Sequence, residues 1–335
     1  MMSSTAERVE LSIVVPVYNE EQNLDYLFER LEAVVENLKM SCEIVCINDG
    51  SRDDTLRYLI AHHERNPQIK VINLARNFGK EIALTAGLDY ATGEAVVPID
   101  ADLQDPPELI GQLVEKWREG YDVVYATRRS RQGESWLKRS TASAFYRIID
   151  RMSLVRVPAN TGDFRLLDRR VVEALRHIPE RTRFMKGLFA WVGFKQTAIL
   201  FDREARHKGK TTWNYWKLWN FALDGIFSFS FIPLKIWSYV GLLVSLLSLL
   251  YASFLVIRTI IQGADVPGYA SLMVATLFLG GVQLITLGIV GEYVGRIYEE
   301  VKGRPIYLVR DLYGLSPHSS QLPRRGYTAD FPQEH

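Results

Sequence analysis

The chain has 335 residues, in which 40 Lys and Arg balance 39 Asp and Glu for a formal charge of +1. That balance lacks the basic footprint of a nucleic-acid binder, so no nucleic-acid partner is expected. The two cysteines, Cys42 and Cys46, lie in one apolar run; they fit neither a disulfide framework nor zinc spacing and read as reduced core thiols of a cytosolic compartment.

The length accommodates one large domain with an appendage, or two domains. Residues 1–9 are polar and lack the apolar centre of a signal peptide; they read as a disordered N-terminus, and export is not expected. From residue 11 onward apolar and amphipathic runs alternate. Segments 11–17, 43–47, 69–74, 95–99 and 122–126 predict strands, and segments 20–38, 54–64, 80–90 and 107–117 carry helical spacing. Repeated βα units imply an α/β fold with a doubly wound, mostly parallel sheet, here assigned to residues 10–208, whose ligands sit outside the carboxyl ends of the strands. Polar clusters fall at those ends: Tyr18-Asn19-Glu20, Asn48-Asp49-Gly50-Ser51, Arg76-Asn77-Phe78-Gly79-Lys80, and Asp100 with Asp102.

Asp100-Ala101-Asp102 is the only Asp-x-Asp triplet in the chain. On an extended strand its two carboxylates share a face where the strand leaves the core. Mg²⁺ and Mn²⁺ take oxygen ligands, use one or two carboxylates, and leave room for water and a diphosphate. Acidic pairs also cap helices and fill turns. Neither Gly-x-Gly-x-x-Gly nor Gly-x-x-x-x-Gly-Lys occurs, so a dinucleotide fold and a P-loop lose their main support.

Past residue 208 the composition changes. Trp213, Tyr215, Trp216, Trp219 and Phe221, then Ile226, Phe227, Phe229 and Phe231, predict amphipathic helices in a membrane interface over 209–235. The charge-free runs 237–257 and 268–291 are each long enough to span a bilayer, so 236–292 reads as two transmembrane helices around a short external connector, 258–267. A buried hairpin of soluble helices is the alternative. Lys235 before the first run, and Arg296, Lys302, Arg304 and Arg310 after the second, place both flanks and both termini in the cytoplasm of a cytoplasmic-membrane protein. Gly280, Gly281, Gly288 and Gly291 permit close helix contact and suggest a homo-oligomer. Residues 293–335 read as a cytoplasmic tail, disordered from 317.

The ordered set Leu11 to Glu21 (LSIVVPVYNEE), Asn48-Asp49-Gly50-Ser51, Asp100 to Glu108 (DADLQDPPE) and Thr161-Gly162-Asp163-Phe164-Arg165 resembles the motifs of family 2 glycosyltransferases of the GT-A fold. The resemblance runs from about Glu10 to Gly314 and is nearest to the polyprenyl-phosphate branch. That branch holds the dolichyl-phosphate mannose synthases and, more similar in the C-terminal spans, the bactoprenol (undecaprenyl-phosphate) glucosyltransferases.

The resemblance implies inverting transfer of a hexose, glucose first, from a UDP-sugar to a polyprenyl phosphate at the cytoplasmic face. GDP-mannose or another UDP-sugar such as an aminosugar is the alternative donor, and a non-catalytic membrane scaffold is the alternative of a different class. A processive synthase is disfavoured, because no Gln-x-x-Arg-Trp occurs. By the same resemblance Asp100, Asp102 and Gln104 hold Mg²⁺ or Mn²⁺ and the diphosphate, and Pro16, Tyr18, Glu20 and Asp49 contact base and ribose. Asp163 orients the acceptor or acts as a base, with an ion pair to Arg165 as its structural reading. Asp105-Pro106-Pro107-Glu108 also reads as a helix capping box, in which both acids are structural. Arginine forks suit phosphate oxygens; Arg128 and Arg129 are assigned to the acceptor phosphate, and Arg206, Lys208 and Lys210 to a lid over the donor. The family's lid commonly reads Gly-x-Ser/Thr-Lys, whereas this chain has Gly209-Lys210-Thr211-Thr212.

Overall fold

The computed structural model describes residues 8–128, 161–181, 183–201, 232–262, 268–315 and 326–328. Among these residues the chain folds around one mixed sheet. Its first half is β1 Leu11–Val17, α1 Leu24–Leu38, β2 Cys42–Asn48, α2 Thr55–Arg65, β3 Ile69–Leu74, α3 Lys80–Tyr90 and β4 Ala95–Pro98. A 3-10 turn at Pro107–Leu109 leads into α4 Ile110–Arg118 and β5 Val123–Arg128. After residue 160 come β6 Thr161–Asp168, α5 Arg169–His177, α6 Met185–Trp191 and β7 Gln196–Phe201. Two long helices, α7 Ile232–Gln262 and α8 Tyr269–Val301, precede β8 Tyr307–Tyr313 and β9 Gly326–Thr328.

The strand order is β7-β5-β6-β4-β1-β2-β3-β8-β9. The run β4-β1-β2-β3 is parallel, while β6 is antiparallel to both β4 and β5, and β8 is antiparallel to β3. This is the doubly wound, mostly parallel sheet that the alternation of runs predicts. Its strands read as continuous apolar runs because both faces are covered. Leu11, Ile13, Val15 and Val17 of β1 pack in one layer with Leu27, Phe28 and Leu31 of α1, whereas Val14 packs in the other with Ile47, Ala83 and Leu84. Cys42 and Cys46 are buried free thiols, and burial pushes Cys42 up to about 11.

The chain runs β1, β2, β3 in one direction and then returns to place β4 on the far side of β1. The crevice at the carboxyl ends of β1 and β4 is therefore a topological switch point, where open α/β sheets bind ligands.

Several elements depart from the sequence-based expectation. Helix α1 starts at Leu24 and not at residue 20, because the backbone N–H groups of Glu20 and Glu21 are taken by Thr55 Oγ1 (3.0 Å) and Asp53 Oδ2 (3.5 Å) and Asn19 sits at a φ of 53°. The Asp105 to Glu108 segment departs from the expected capping box at Glu108. The residue that precedes the 3-10 turn is Pro106, and the Glu108 carboxylate instead takes the Arg30 guanidinium at 2.8 and 2.5 Å, tying this turn to α1.

Residues 293–335 are not simply a tail. Helix α8 runs to Val301, β8 joins the edge of the sheet, and 326–328, expected to be disordered, pair parallel with β8. The hydroxyl of the buried Tyr307 donates to Asp89 of α3 at 3.0 Å, and the Arg181 backbone N–H donates to Glu300 near the end of α8 at 2.7 Å. Helices α7 and α8 lie against each other. Among the described residues one helical stretch, Ser271–Val301, is long and apolar enough to cross a membrane, with a mean hydropathy of 2.1 in its apolar window, whereas the apolar stretch of α7 is the shorter Tyr239–Tyr251. The predicted interface helices at 209–231 lie outside the described residues.

Candidate active site

The loops after β1 and β2 are laced together at the switch point. The Asn19 backbone N–H donates to Ser51 Oγ (3.0 Å), the Arg52 N–H to Asn19 Oδ1 (2.8 Å) and the Asp54 N–H to Glu21 Oε2 (3.0 Å). Pro16 is half-buried in β1 opposite Ile47, Tyr18 is exposed at the rim, and Glu20 accepts from Asn23 Nδ2 at 2.6 Å.

Asp49 is placed differently. Its buried carboxylate accepts the backbone N–H of Phe78 (2.7 Å) and of Gly79 (2.9 Å), so in this structure it builds the turn between β3 and α3. Burial raises its pKa despite those two hydrogen bonds and the nearby Arg76. Gly50 is required beside it. At a φ of 65° its added Cβ would meet the Arg76 carbonyl carbon at 2.4 Å and the Asn77 nitrogen at 2.5 Å, closer than backbone atoms tolerate.

Strand β4 ends at Pro98, so Asp100 and Asp102 do not share a strand face; both lie in the turn that follows. In that turn the buried Leu103 adopts a φ of 60°, a left-handed conformation that costs a branched side chain about 1 kcal/mol and tends to mark functional sites. Asp102 is buried, with Oδ1 accepting the Gln104 backbone N–H at 3.2 Å.

Asp100 meets a partner that the sequence did not disclose. The Lys80 ammonium, on the first residue of α3, lies 2.7 Å from Asp100 Oδ1 and 2.8 Å from Asp100 Oδ2, and 2.7 Å from Asp163 Oδ2 on β6. Three elements distant in sequence thus converge on one cation. Desolvation pulls the Lys80 pKa down, but Asp100 and Asp163 outweigh it and hold the ammonium well above its ordinary value. Burial likewise opposes ionisation of Asp163, yet Lys80, Lys186 and Arg165 hold its carboxyl far below the usual range. The neighbouring Glu81 goes the other way: burial and the Asp163 charge push it up to about 8. Asp163 forms no ion pair with Arg165, whose guanidinium donates to the Gly162 carbonyl (2.7 Å) and lies 4.1 Å from the centre of the Phe189 ring.

Arg128 ends β5, where its backbone pairs with Phe201 of β7, one residue beyond the Thr127–Thr161 pair with β6. Arg129, Arg206, Lys208 and Lys210 lie outside the described residues. The acidic turn offers only oxygen ligands, which suits a hard divalent cation. Among the described residues no three His, Cys, Asp or Glu side chains gather into a cage. A cation held by one or two carboxylates, water and a diphosphate needs none.

Known proteins resemble this chain over most of its length. The glycosyl transferase family 2 model matches residues 12–176, and that of the GtrB C-terminal hairpin matches 232–297. The chain is 69% identical over 307 residues to an uncharacterized glycosyltransferase of Synechocystis sp., covering 92% of this chain and 96% of that one. It is 47% identical over 309 residues to the SfII prophage-derived bactoprenol glucosyl transferase of Shigella flexneri, covering 92% and 100%. Among solved structures, mannosyl-3-phosphoglycerate synthase from Rubrobacter xylanophilus superposes with a TM-score of 0.46 at 19% identity, over 64% of this chain and 71% of that one. Nearly the whole chain is thus matched in sequence by glycosyltransferases. The chain belongs to glycosyl transferase family 2 and carries the GtrB C-terminal hairpin.

Proposed function

We propose that this glycosyltransferase moves glucose from UDP-glucose to a polyprenyl phosphate at the cytoplasmic face of a membrane, with inversion at the anomeric carbon. The observation that carries the reading is topological. Strand β7 precedes the apolar helix pair and β8 follows it, and both belong to the sheet whose strand ends hold Asp100, Asp102 and Asp163. A chain that leaves and re-enters one domain in this way suits two spans with both ends on the catalytic side. The Shigella flexneri relative is named a bactoprenol glucosyl transferase, which supports glucose and a polyprenyl acceptor.

In this reading Asp100, Asp102 and Gln104 hold Mg²⁺ or Mn²⁺, which supplies positive charge to the departing diphosphate. Pro16, Tyr18 and Glu20 border the nucleoside, and Asp49 acts through the turn it holds. Arg128 and Arg129 bind the acceptor phosphate, while Arg206, Lys208 and Lys210 close over the donor. A lipid phosphate with a second pKa of about 6 is largely dianionic at neutral pH, so its oxygen needs little help from a base, and Asp163 serves to orient it. The small-residue face of Gly280, Gly281, Gly288 and Gly291 supports a homo-oligomer, which molecular mass in mild detergent tests.

The deciding experiment offers the purified full-length protein a panel of nucleotide sugars with undecaprenyl phosphate and Mg²⁺. Glucosyl phosphoryl undecaprenol of inverted configuration is the expected product. Turnover with GDP-mannose alone, a product of retained configuration, or donor binding without lipid product would each overturn the assignment.

A further inference from the structure

The lysine that joins Asp100 to Asp163 is a group the sequence motifs leave without a role. Lysine is disfavoured in the first turn of a helix, where the positive end of the macrodipole and unpaired N–H groups already lie. Lys80 is nevertheless the first residue of α3, and the two N–H groups before it are fixed by Asp49. A residue that breaks a local rule inside a site is expected to have a function there. All three of its ammonium donors have acceptors in reach, two on Asp100 and one on Asp163. Asp163 depends on it in return, since its other carboxylate oxygen, Oδ1, is buried and lacks a hydrogen-bond partner.

We propose that Lys80 is a positioning residue that fixes the Asp163 carboxylate for the acceptor and competes with the divalent cation for Asp100. The proposal rests on the metal and acceptor assignments above. It follows from occupancy. The ammonium already faces both oxygens of Asp100, so a second cation reaches that carboxylate only by sharing or displacing it. Once Lys80 is drawn off Asp100, Asp163 remains its nearest anion. Loading the donor side and ordering the acceptor side are thereby linked through one side chain.

The test uses full-length protein in detergent with Lys80→Met, which removes the charge at similar length, and Lys80→Arg, which keeps it. Mn²⁺ is titrated without any nucleotide, and free Mn²⁺ is followed by its paramagnetic resonance signal. Lys80→Met is expected to bind Mn²⁺ about tenfold more tightly than wild type, because a like charge is removed beside the ligand, while Lys80→Arg stays near wild type. In turnover, Lys80→Met is expected to lose kcat about a hundredfold, as misplaced catalytic groups do, without a rise in KM for the nucleotide sugar. Mn²⁺ affinity equal to or weaker than wild type in Lys80→Met, or a loss confined to KM, would overturn the proposal. Should Lys80→Met not fold, Lys80→Gln gives the same two readouts. An Asp102→Asn protein that binds Mn²⁺ as wild type does would instead overturn the metal assignment.

Discussion

Asn73 of β3 donates from Nδ2 to Asp311 of β8 at 2.6 Å, and its own Oδ1 accepts from Asn48 Nδ2 at 2.8 Å. Asn48 Oδ1 in turn accepts the Ser51 backbone N–H at 3.3 Å, so the strand that follows the helix pair is hydrogen-bonded through to the loop after β2. Asp311→Ala is expected to cost about 1 kcal/mol, the ordinary loss for a partly exposed hydrogen bond to a charged group. Thermal unfolding in detergent measures the cost, and hydrogen exchange should show β8 opening faster while β1 is unchanged. An unaltered exchange rate in β8 would mean that register is held by the ladder alone.

Gly87 lies where α3 meets the sheet, and a Cβ there would stand 2.3 Å from Val14 Cγ1 and 2.6 Å from Ile47 Cδ1. Gly87→Ala gains at most about 1 kcal/mol of helix propensity, which overpacking costs of about 1–3 kcal/mol outweigh. A lower denaturation midpoint is therefore expected, and a stabilised variant would show that the helix can lift off the sheet.

Glu43 is buried in β2 and accepts from Ser12 Oγ (2.5 Å), the Thr92 N–H (2.7 Å) and Thr92 Oγ1 (2.8 Å), with Lys70 as its ion-pair partner. Burial opposes its ionisation, but Lys70, Ser12 and Thr92 outweigh burial and lower its pKa below the ordinary 4.5. The folded state thus binds fewer protons than the unfolded state below that value. The stabilisation is complete above about pH 4.5 and is lost as pH falls through the folded pKa. Glu43→Gln should cost about 2 kcal/mol at pH 7 by leaving Lys70 unpaired. It should also flatten the acid limb. The drop in unfolding temperature from pH 7 to pH 4 ought to be smaller in the variant than in wild type, and equal drops would assign the acid loss to other carboxylates.

Asp102→Asn keeps shape and removes one charge from the acidic turn. It should lower the turnover number at least about 100-fold, the scale of losing one preorganised electrostatic group, with an unfolding temperature close to wild type. Lipid-product formation at ordinary Mg²⁺ measures it, and full activity would remove Asp102 from the cation site.

The parallel half of the sheet was legible because β1 to β4 are apolar on both faces and end in polar clusters, which are local signals. Lys80 was visible as part of such a cluster, but its partners were not, since Asp100 and Asp163 lie 20 and 83 residues away and only the packing of α3 on β1 and β2, with β4 paired to β6, brings them together. Strand β8 escaped notice because Arg310 and Asp311 interrupt its apolar residues; Tyr307 and Val309 are buried while Leu308 and Arg310 face outward. The Glu108 acid read as a cap because capping is a local pattern, whereas its actual partner, Arg30, comes from another helix.

The length of α8 has a further consequence. Its 33 residues span about 50 Å, against a hydrocarbon layer of about 30 Å. In the topology proposed above, the charge-free stretch through Gly291 lies in the bilayer and Glu292 to Val301 projects from it by about 15 Å, carrying the Arg296–Glu292 pair and met near its end by Arg181. That projection acts as a ruler. Under the same topology it sets the stand-off between the sheet and the lipid surface, and adding or deleting one helical turn would change that height by about 5 Å.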